Sequence, residues 1–387
     1  MKLKSVVFVL LCMVIVLTGC NAQNVDPTTE SQGSSTEATE NSSEAATENI
    51  YSRSESTIKN DSKTGSIITS QNSYQLNTVI TLSIYADKEV PNEVFTELFE
   101  GIAYYENMIS KTVSESELSQ INENAGVKPV TVSDEMMEII SKGIDYAENS
   151  GGLFDISIGP VVTLWGIGTD AAAVPSDADL KSMMKLVDYK KIDIDENEKT
   201  IYLPEKGMAL DFGGIAKGYI ADRVKDLILD NGYDSAIINL GGNVLTVGVK
   251  PNGANWVIGV RDPEIDAVTE LGAISVSGRS VVSSGIYERF FSEGDKRYHH
   301  IINPYTGYPE DNDLMSVSII SELSVDGDAL STTVFLLGLE KGYEYIESLE
   351  DVEAIFIMKD RSVYVTSGMQ ENFVLFNEAY TVKDINK

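Results

Sequence analysis

Apolar positions along this chain follow two spacings, and the points where one gives way to the other divide it into elements. The first regular stretch is Leu76-Asn-Thr-Val-Ile-Thr-Leu-Ser-Ile-Tyr85, where Leu76, Thr78, Ile80, Leu82 and Ile84 alternate with mostly polar neighbours. That alternation predicts a half-buried strand. Val94, Leu98, Ile102, Tyr105 and Ile109 then recur at helical spacing, and Ser114-x-x-Glu117 ahead of Leu118 and Ile121 has the form of a capping box opening a short second helix. A third helix is predicted from near Ser133 to Ser150-Gly151-Gly152, with Met136, Met137, Ile140 and Ile144 as its core face. Gly151 to Gly166 reads as a glycine-rich loop holding one carboxylate, Asp155, between large apolar residues. Strand-like pieces at 192–194, 200–203 and 208–210 lead to a helix from about Ile215 to Asn231, closed by Gly232 as its C′ residue. Five short apolar runs follow between 236 and 284, separated by turn residues, and consecutive strands of this kind pair antiparallel. The fold class is α+β, with mixed, largely antiparallel sheets and packed helices in one large bilobal domain over 67–387.

The two ends of the hydropathy range mark off the rest. Lys2 and Lys4 precede an apolar run from Val6 to Leu17 that ends in Thr18-Gly19-Cys20. It is shorter than the ~20 residues that span a bilayer and reads as a signal peptide over 1–19. Cys20 after Gly19 resembles a lipobox, which implies a lipid on Cys20, an extracytoplasmic location and anchorage to a bacterial cell membrane. From 20 to 66 the chain is rich in Ser, Thr and Glu with few large apolar residues, the composition of a disordered tether. Cys12 is the only other cysteine and leaves with the signal peptide, so the mature body has neither disulfide nor thiol nucleophile. A formal net charge of −31 excludes nucleic acid as a partner, since that binding needs Lys and Arg against phosphates. Any anionic ligand must be met by a few placed cations, helix ends or a metal ion.

Three stretches carry candidate chemistry. In Asp211-Phe-Gly-Gly-Ile-Ala-Lys217-Gly218 a carboxylate, two glycines and a lysine sit at a predicted helix start, where close backbone approach and free N–H groups suit a phosphate. The spacing is neither that of a Walker loop nor of a dinucleotide fold. The only two histidines, His299 and His300, are adjacent; on a strand they face opposite ways and cannot share a metal. With cysteine absent from the mature body, a metal must be held by oxygen, which favours Mg²⁺ or Ca²⁺. In Asp326-Gly-Asp328-Ala-Leu-Ser331-Thr332, Asp326 fits an N-cap and Asp328 a dipole partner, while the i, i+4 relation puts Asp328 and Thr332 on one face.

In order along the chain, Gly152-x-Phe-Asp155 with Gly159-Pro160 and Leu164-Trp165-Gly166, Asp211-x-Gly-Gly-x-Ala-Lys217-Gly218, Asn239-x-Gly-Gly-Asn243 with Ser284-Gly285-x-Tyr287, and His300-Ile-x-x-Pro304-x-Thr306-Gly307 with Asp328-Ala-Leu-Ser-Thr332 resemble the ApbE-type FAD:protein FMN transferases. The resemblance implies an ApbE/T-fold-like domain that cleaves FAD with Mg²⁺, releases AMP and attaches FMN through a phosphoester to a Ser or Thr of an acceptor flavoprotein. It further implies that Asp328, Thr332, the backbone of Gly214 and Ser331 hold Mg²⁺, that Asp211 and Lys217 contact FAD, and that His300 is the base acting on the acceptor hydroxyl. Phe154, Asp155, Ile156 and Ile302 would line the flavin or adenine site, with a flavin contact at Leu76. The chain departs from the family at Leu76-Asn77-Thr78, where Met-Gly-Thr is common, and at Asn303, where Asp is usual. Two other readings stay open on sequence alone: a Mg²⁺-dependent FAD pyrophosphatase giving FMN and AMP, and a lipid-anchored flavin-binding protein.

Overall fold

The computed structural model describes residues 53–385 apart from 265, 266 and 268. The signal peptide and Cys20 lie outside the described residues.

Ten strands form one sheet: β1 (Thr57–Asn60), β2 (Ile67–Gln75), β3 (Thr78–Ala86), β4 (Ala236–Leu240), β5 (Asn243–Val247), β6 (Ser280–Gly285), β7 (Leu314–Ser321), β8 (Glu353–Met358), β9 (Ser362–Val365) and β10 (Thr381–Val382). They lie side by side in chain order, each antiparallel to the next except the parallel last pair. Between β3 and β4 come α1 (Asn92–Ile109), α2 (Glu117–Glu123), α3 (Asp134–Asn149), α4 (Gly159–Trp165), α5 (Asp177–Met184) and α6 (Ala216–Asp230). Between β7 and β8 come α7 (Ser324–Leu337) and α8 (Leu339–Glu347). Each half is therefore a hairpin, a helical excursion and a second hairpin, a repeat of architecture with no matching repeat of sequence.

Alternation on β3 puts Ile80, Leu82 and Ile84 under α1 and α6, which contribute Phe95, Leu98, Ile102, Ile220 and Val224. In the other half Val334 and Phe335 of α7 and Ile346 of α8 cover Val317, Ile319 and Phe356. A small sheet of Trp256–Arg261, Glu270–Val276 and Phe373–Leu375 brings Trp256 and Ile274 against Ile355, Ile357 and Val363. α7 is buried on nearly every side and stands beside α6.

Several predicted elements shift. Order is present inside the stretch read as tether: β1 pairs with β2, and Arg53 bridges Ser73. Leu76 and Asn77 are not strand but the tight turn between β2 and β3, with φ of 53° and 56°, the left-handed geometry that a two-residue hairpin turn demands. The cap of α2 is Ser116, which accepts from the Ser119 N–H, whereas Glu117 accepts from the backbone and hydroxyl of Ser133. The glycine-rich loop contains α4, whose Gly159 lies so close to Ala209 that a Cβ would fall 2.5 Å from its carbonyl oxygen. The piece at 208–210 makes only a bridge from Ala209 to Ile158.

Candidate active site

α6 and α7 run antiparallel and cap each other. The Asp222 carboxylate, from α6, accepts from the N–H groups of Ser324 and Val325 at 2.8 and 3.0 Å. In return the Asp328 carboxylate, from α7, accepts from the Gly218 N–H at 2.6 Å, with the Lys217 N–H also directed at it. A buried helix end needs such partners. The contact is close because position 218 is glycine: a Cβ there would lie 2.2 Å from the Ser324 carbonyl oxygen. Two readings change accordingly. The first N–H groups of α6 serve Asp328 rather than standing free for phosphate, and the α7 N-terminus is capped by Asp222 while Asp326 takes the Tyr146 hydroxyl.

Around this crossing the structure gathers most of the predicted metal-binding residues. Asp328 is buried and also accepts from the Asn243 side chain at 3.2 Å. Burial raises its pKa, opposed by the charge of Lys217 and by these hydrogen bonds. The Gly214 backbone abuts Thr332: a Cβ on Gly214 would stand 3.5 Å from Thr332 Oγ1 and 3.1 Å from the Phe154 ring. The Thr332 hydroxyl has no hydrogen-bond partner among the described residues. Ser331 differs, since its hydroxyl donates to the Asp328 carbonyl and pairs with Ser284 Oγ at 2.8 Å. A carboxylate, a free hydroxyl and a backbone carbonyl are hard oxygen donors, and this small set suits Mg²⁺, which keeps several waters and uses one or two carboxylates with substrate phosphates. Among the described residues no three His, Cys, Asp or Glu side chains converge as a self-sufficient cage.

His299 ends the strand Lys296–His299, His300 follows it, and the two rings meet different partners. His299 is buried, with Nε2 2.7 Å from the Glu310 carbonyl oxygen and its ring edge-on to Phe335. His300 is half-buried and lies within reach of the charges of Arg289 and of Lys217 on α6. Its Nδ1 is 3.3 Å from the Arg289 carbonyl oxygen and its Nε2 is 3.9 Å from a Glu288 carboxylate oxygen. Desolvation by the surrounding protein, then Arg289, hold the imidazole below its ordinary pKa, although 28% of the side chain stays exposed. It is thus neutral at physiological pH with Nε2 free to accept a proton. Glu288 is pushed the other way by burial, against the charges of Lys217 and Arg289.

The model of the ApbE family matches residues 76–356. The chain belongs to the ApbE family. It is 39% identical over 307 residues to a FAD:protein FMN transferase of Klebsiella pneumoniae (strain 342), covering 79% of this chain and 94% of that one. A FAD:protein FMN transferase of Treponema pallidum (strain Nichols) is 35% identical over 300 residues, with 74% and 83% covered. The crystal structure of the ApbE protein from Thermotoga maritima MSB8 superposes with a TM-score of 0.73 at 27% identity, covering 79% of this chain and 99% of that one.

Within this ApbE fold the remaining predicted residues are held by local hydrogen bonds and packing. Asp155 accepts from the backbone and hydroxyl of Ser157 and from the Tyr189 N–H, so its carboxylate fixes the loop. Ile156 is core, and its carbonyl accepts from the Asp211 N–H. Asp211 accepts from the Gly213 N–H at 2.7 Å and forms an ion pair with Lys111. Phe154 packs edge-on against Tyr146 with its far edge at Gly214. Ile302 belongs to the cluster around Trp165, whose indole N–H donates to the Gly307 carbonyl. Leu76 sits in its turn, with its N–H on Glu106. Asn303 has a local reason: its amide donates to Glu310 at 2.7 Å while its oxygen accepts from the Tyr305 N–H. An aspartate there would set two carboxylates face to face. Sequence reasoning missed Lys111, Asp222, Asn243 and Glu288; only Asn243 carried a signal, as the end of a glycine-containing motif.

Proposed function

We propose that this chain is an FAD:protein FMN transferase that cleaves the FAD pyrophosphate, releases AMP and esterifies FMN onto a Ser or Thr hydroxyl of an acceptor protein. The observation that carries the reading is His300, whose Nδ1 faces the Arg289 carbonyl and leaves Nε2 to accept a proton, in a chain whose curated relatives are FAD:protein FMN transferases. A mere flavin binder has no use for a base beside the phosphates.

Phosphoryl transfer needs charge neutralisation and an in-line nucleophile whose proton is removed. Asp328, Thr332 and the Gly214 carbonyl would hold Mg²⁺, which would neutralise charge on the pyrophosphate oxygens. Lys217 adds a cation on the same helix end. Asp211 and Phe154 shape the wall on which FAD lies, with Lys111 holding Asp211 in place. His300 Nε2 takes the acceptor proton as the new P–O bond forms, a contribution typically worth ~10²–10⁴-fold. Ser331 steadies α7 through Ser284 rather than touching the cation.

Incubation of the purified chain with FAD, Mg²⁺ and an acceptor flavoprotein should yield AMP and covalently bound flavin on the acceptor in equal amounts. FMN and AMP without acceptor labelling would make it a pyrophosphatase; neither product would make it a binder. We further propose that the enzyme works outside the cytoplasm, tied to the membrane by lipid on Cys20, on the strength of the lipobox-like Leu17-Thr-Gly-Cys20. Cys20→Ala should abolish lipid labelling, and continued labelling would end that reading.

A further inference from the structure

Glu288 has no part in the chemistry described so far, yet its carboxylate is the acidic group nearest the reacting face of His300. The adjacency follows from the chain path. β6 ends at Gly285, Glu288 and Arg289 lead into the hairpin strand Phe290–Glu293, and the partner strand Lys296–His299 returns to place His300 beside them. The hairpin register pairs Phe290 with His299, and the His300 N–H donates to the Arg289 carbonyl at 3.1 Å. The backbone therefore fixes which side chains meet. With Nδ1 near the Arg289 carbonyl oxygen, the tautomer that donates there leaves a lone pair on Nε2, and Nε2 faces Glu288 at 3.9 Å. That separation is too long for a hydrogen bond but close enough for charge to act, and both side chains are about 30% exposed, at 28% and 31%.

We propose that Glu288 is a positioning residue for catalysis, a carboxylate that stabilises the imidazolium formed on His300 when it accepts the proton of the acceptor hydroxyl. The inference rests on the assignment of His300 as the base. In the step concerned the acceptor oxygen bonds to the FMN phosphorus, the P–O bond to AMP breaks with its electron pair on the AMP phosphate, and the hydroxyl proton moves to Nε2. After turnover that proton leaves to solvent. The other charged groups around the pair work against the imidazolium: Arg289, Lys217 and His299 bear on His300. Lys217, Arg289 and Arg261 also face Glu288, with Asp328 the remaining acid. The charges of Arg289 and Lys217 both disfavour a proton on His300. Glu288 supplies the opposing anion. Burial raises its own pKa, and Lys217 and Arg289 oppose that rise, favouring the ionised form that this role requires.

The test compares Glu288→Gln, Glu288→Asp and His300→Ala in FMN transfer across pH, with FAD affinity measured separately. An opposite charge at this range moves a pKa by ~1–3 pH units. Glu288→Gln should lower kcat on the order of 10-fold, leave FAD affinity and KM for FAD close to wild type, and move the acid limb of kcat to lower pH. Glu288→Asp, which keeps the charge, should retain the wild-type limb and lose less rate. An unchanged plateau and limb in Glu288→Gln, equal losses in Gln and Asp, or a loss accounted for by FAD affinity would each overturn the proposal. Full transfer by His300→Ala would instead remove the assignment beneath it, so the two failures are distinguishable.

Discussion

Replacing Asp222 with Asn tests the reciprocal capping that holds α6 against α7. The carboxylate is buried, and its burial pushes its pKa up to about 6 from the ordinary 3.8, against the pull of the two N–H groups it accepts. A carboxyl whose pKa is raised on folding contributes stability that is complete below the unfolded value and is lost as pH rises through the folded one. In wild type this loss grows by about 1.4 kcal/mol between about pH 5 and about pH 7.5, and approaches about 3 kcal/mol at its limit. Asparagine stays neutral throughout. Its single carbonyl satisfies one of the two N–H groups, and leaving the other unmet costs ~1–3 kcal/mol at every pH. The variant should therefore be less stable than wild type near pH 5 and recover about 1.4 kcal/mol of that deficit by about pH 7.5. Urea unfolding of both proteins at the two pH values measures this, and the other carboxylates cancel because both proteins carry them. A deficit that stays constant with pH would show that Asp222 does not hold its charge buried at the α7 terminus.

Asp328→Ala removes both the α6 cap and the anionic group of the proposed cation site, so FMN transfer should fall by orders of magnitude and EDTA should silence wild type; an active variant would leave Asp328 as a cap alone. Because burial and Arg289 keep His300 neutral far below its ordinary pKa, kcat should be flat through the neutral range, with its acid limb below the usual histidine region. A limb centred near ~6.5 would show instead that His300 titrates as an unperturbed imidazole.

What was legible in the sequence was what periodicity and local chemistry encode. Ile80, Leu82 and Ile84 alternate because one face of β3 is buried, and strand alternation alone foretold that His299 and His300 part. β2 escaped notice for the converse reason: its buried positions are Thr69, Gln71, Ser73 and Gln75. Three of these use their polar atoms inside, with Gln71 donating to Asn92, Thr69 accepting from the Val90 N–H and Gln75 donating to the Phe99 carbonyl. No hydropathy pattern marks such a strand. α4 was hidden because Gly159 reads as flexibility when it serves close approach to Ala209. In the proposed cation site, Asp328, Thr332 and Gly214 were reachable through their motifs and the i, i+4 rule. Asp222 and Lys111 were not, because their partners lie 102 and 100 residues away along the chain and only the fold brings them together. Glu288 was one acid among many until the hairpin set it against His300.

The central claim is tested most directly by single-turnover transfer from FAD to an acceptor protein, comparing wild type with His300→Ala and His299→Ala and following the acceptor's mass for one added FMN. His300→Ala should bind FAD and Mg²⁺ as wild type does yet lose ~10²–10⁴-fold in the transfer rate, while His299→Ala, turned toward the Glu310 carbonyl, should lose far less. Equal losses in the two variants, or a loss in His300→Ala explained wholly by weaker FAD binding, would contradict the account.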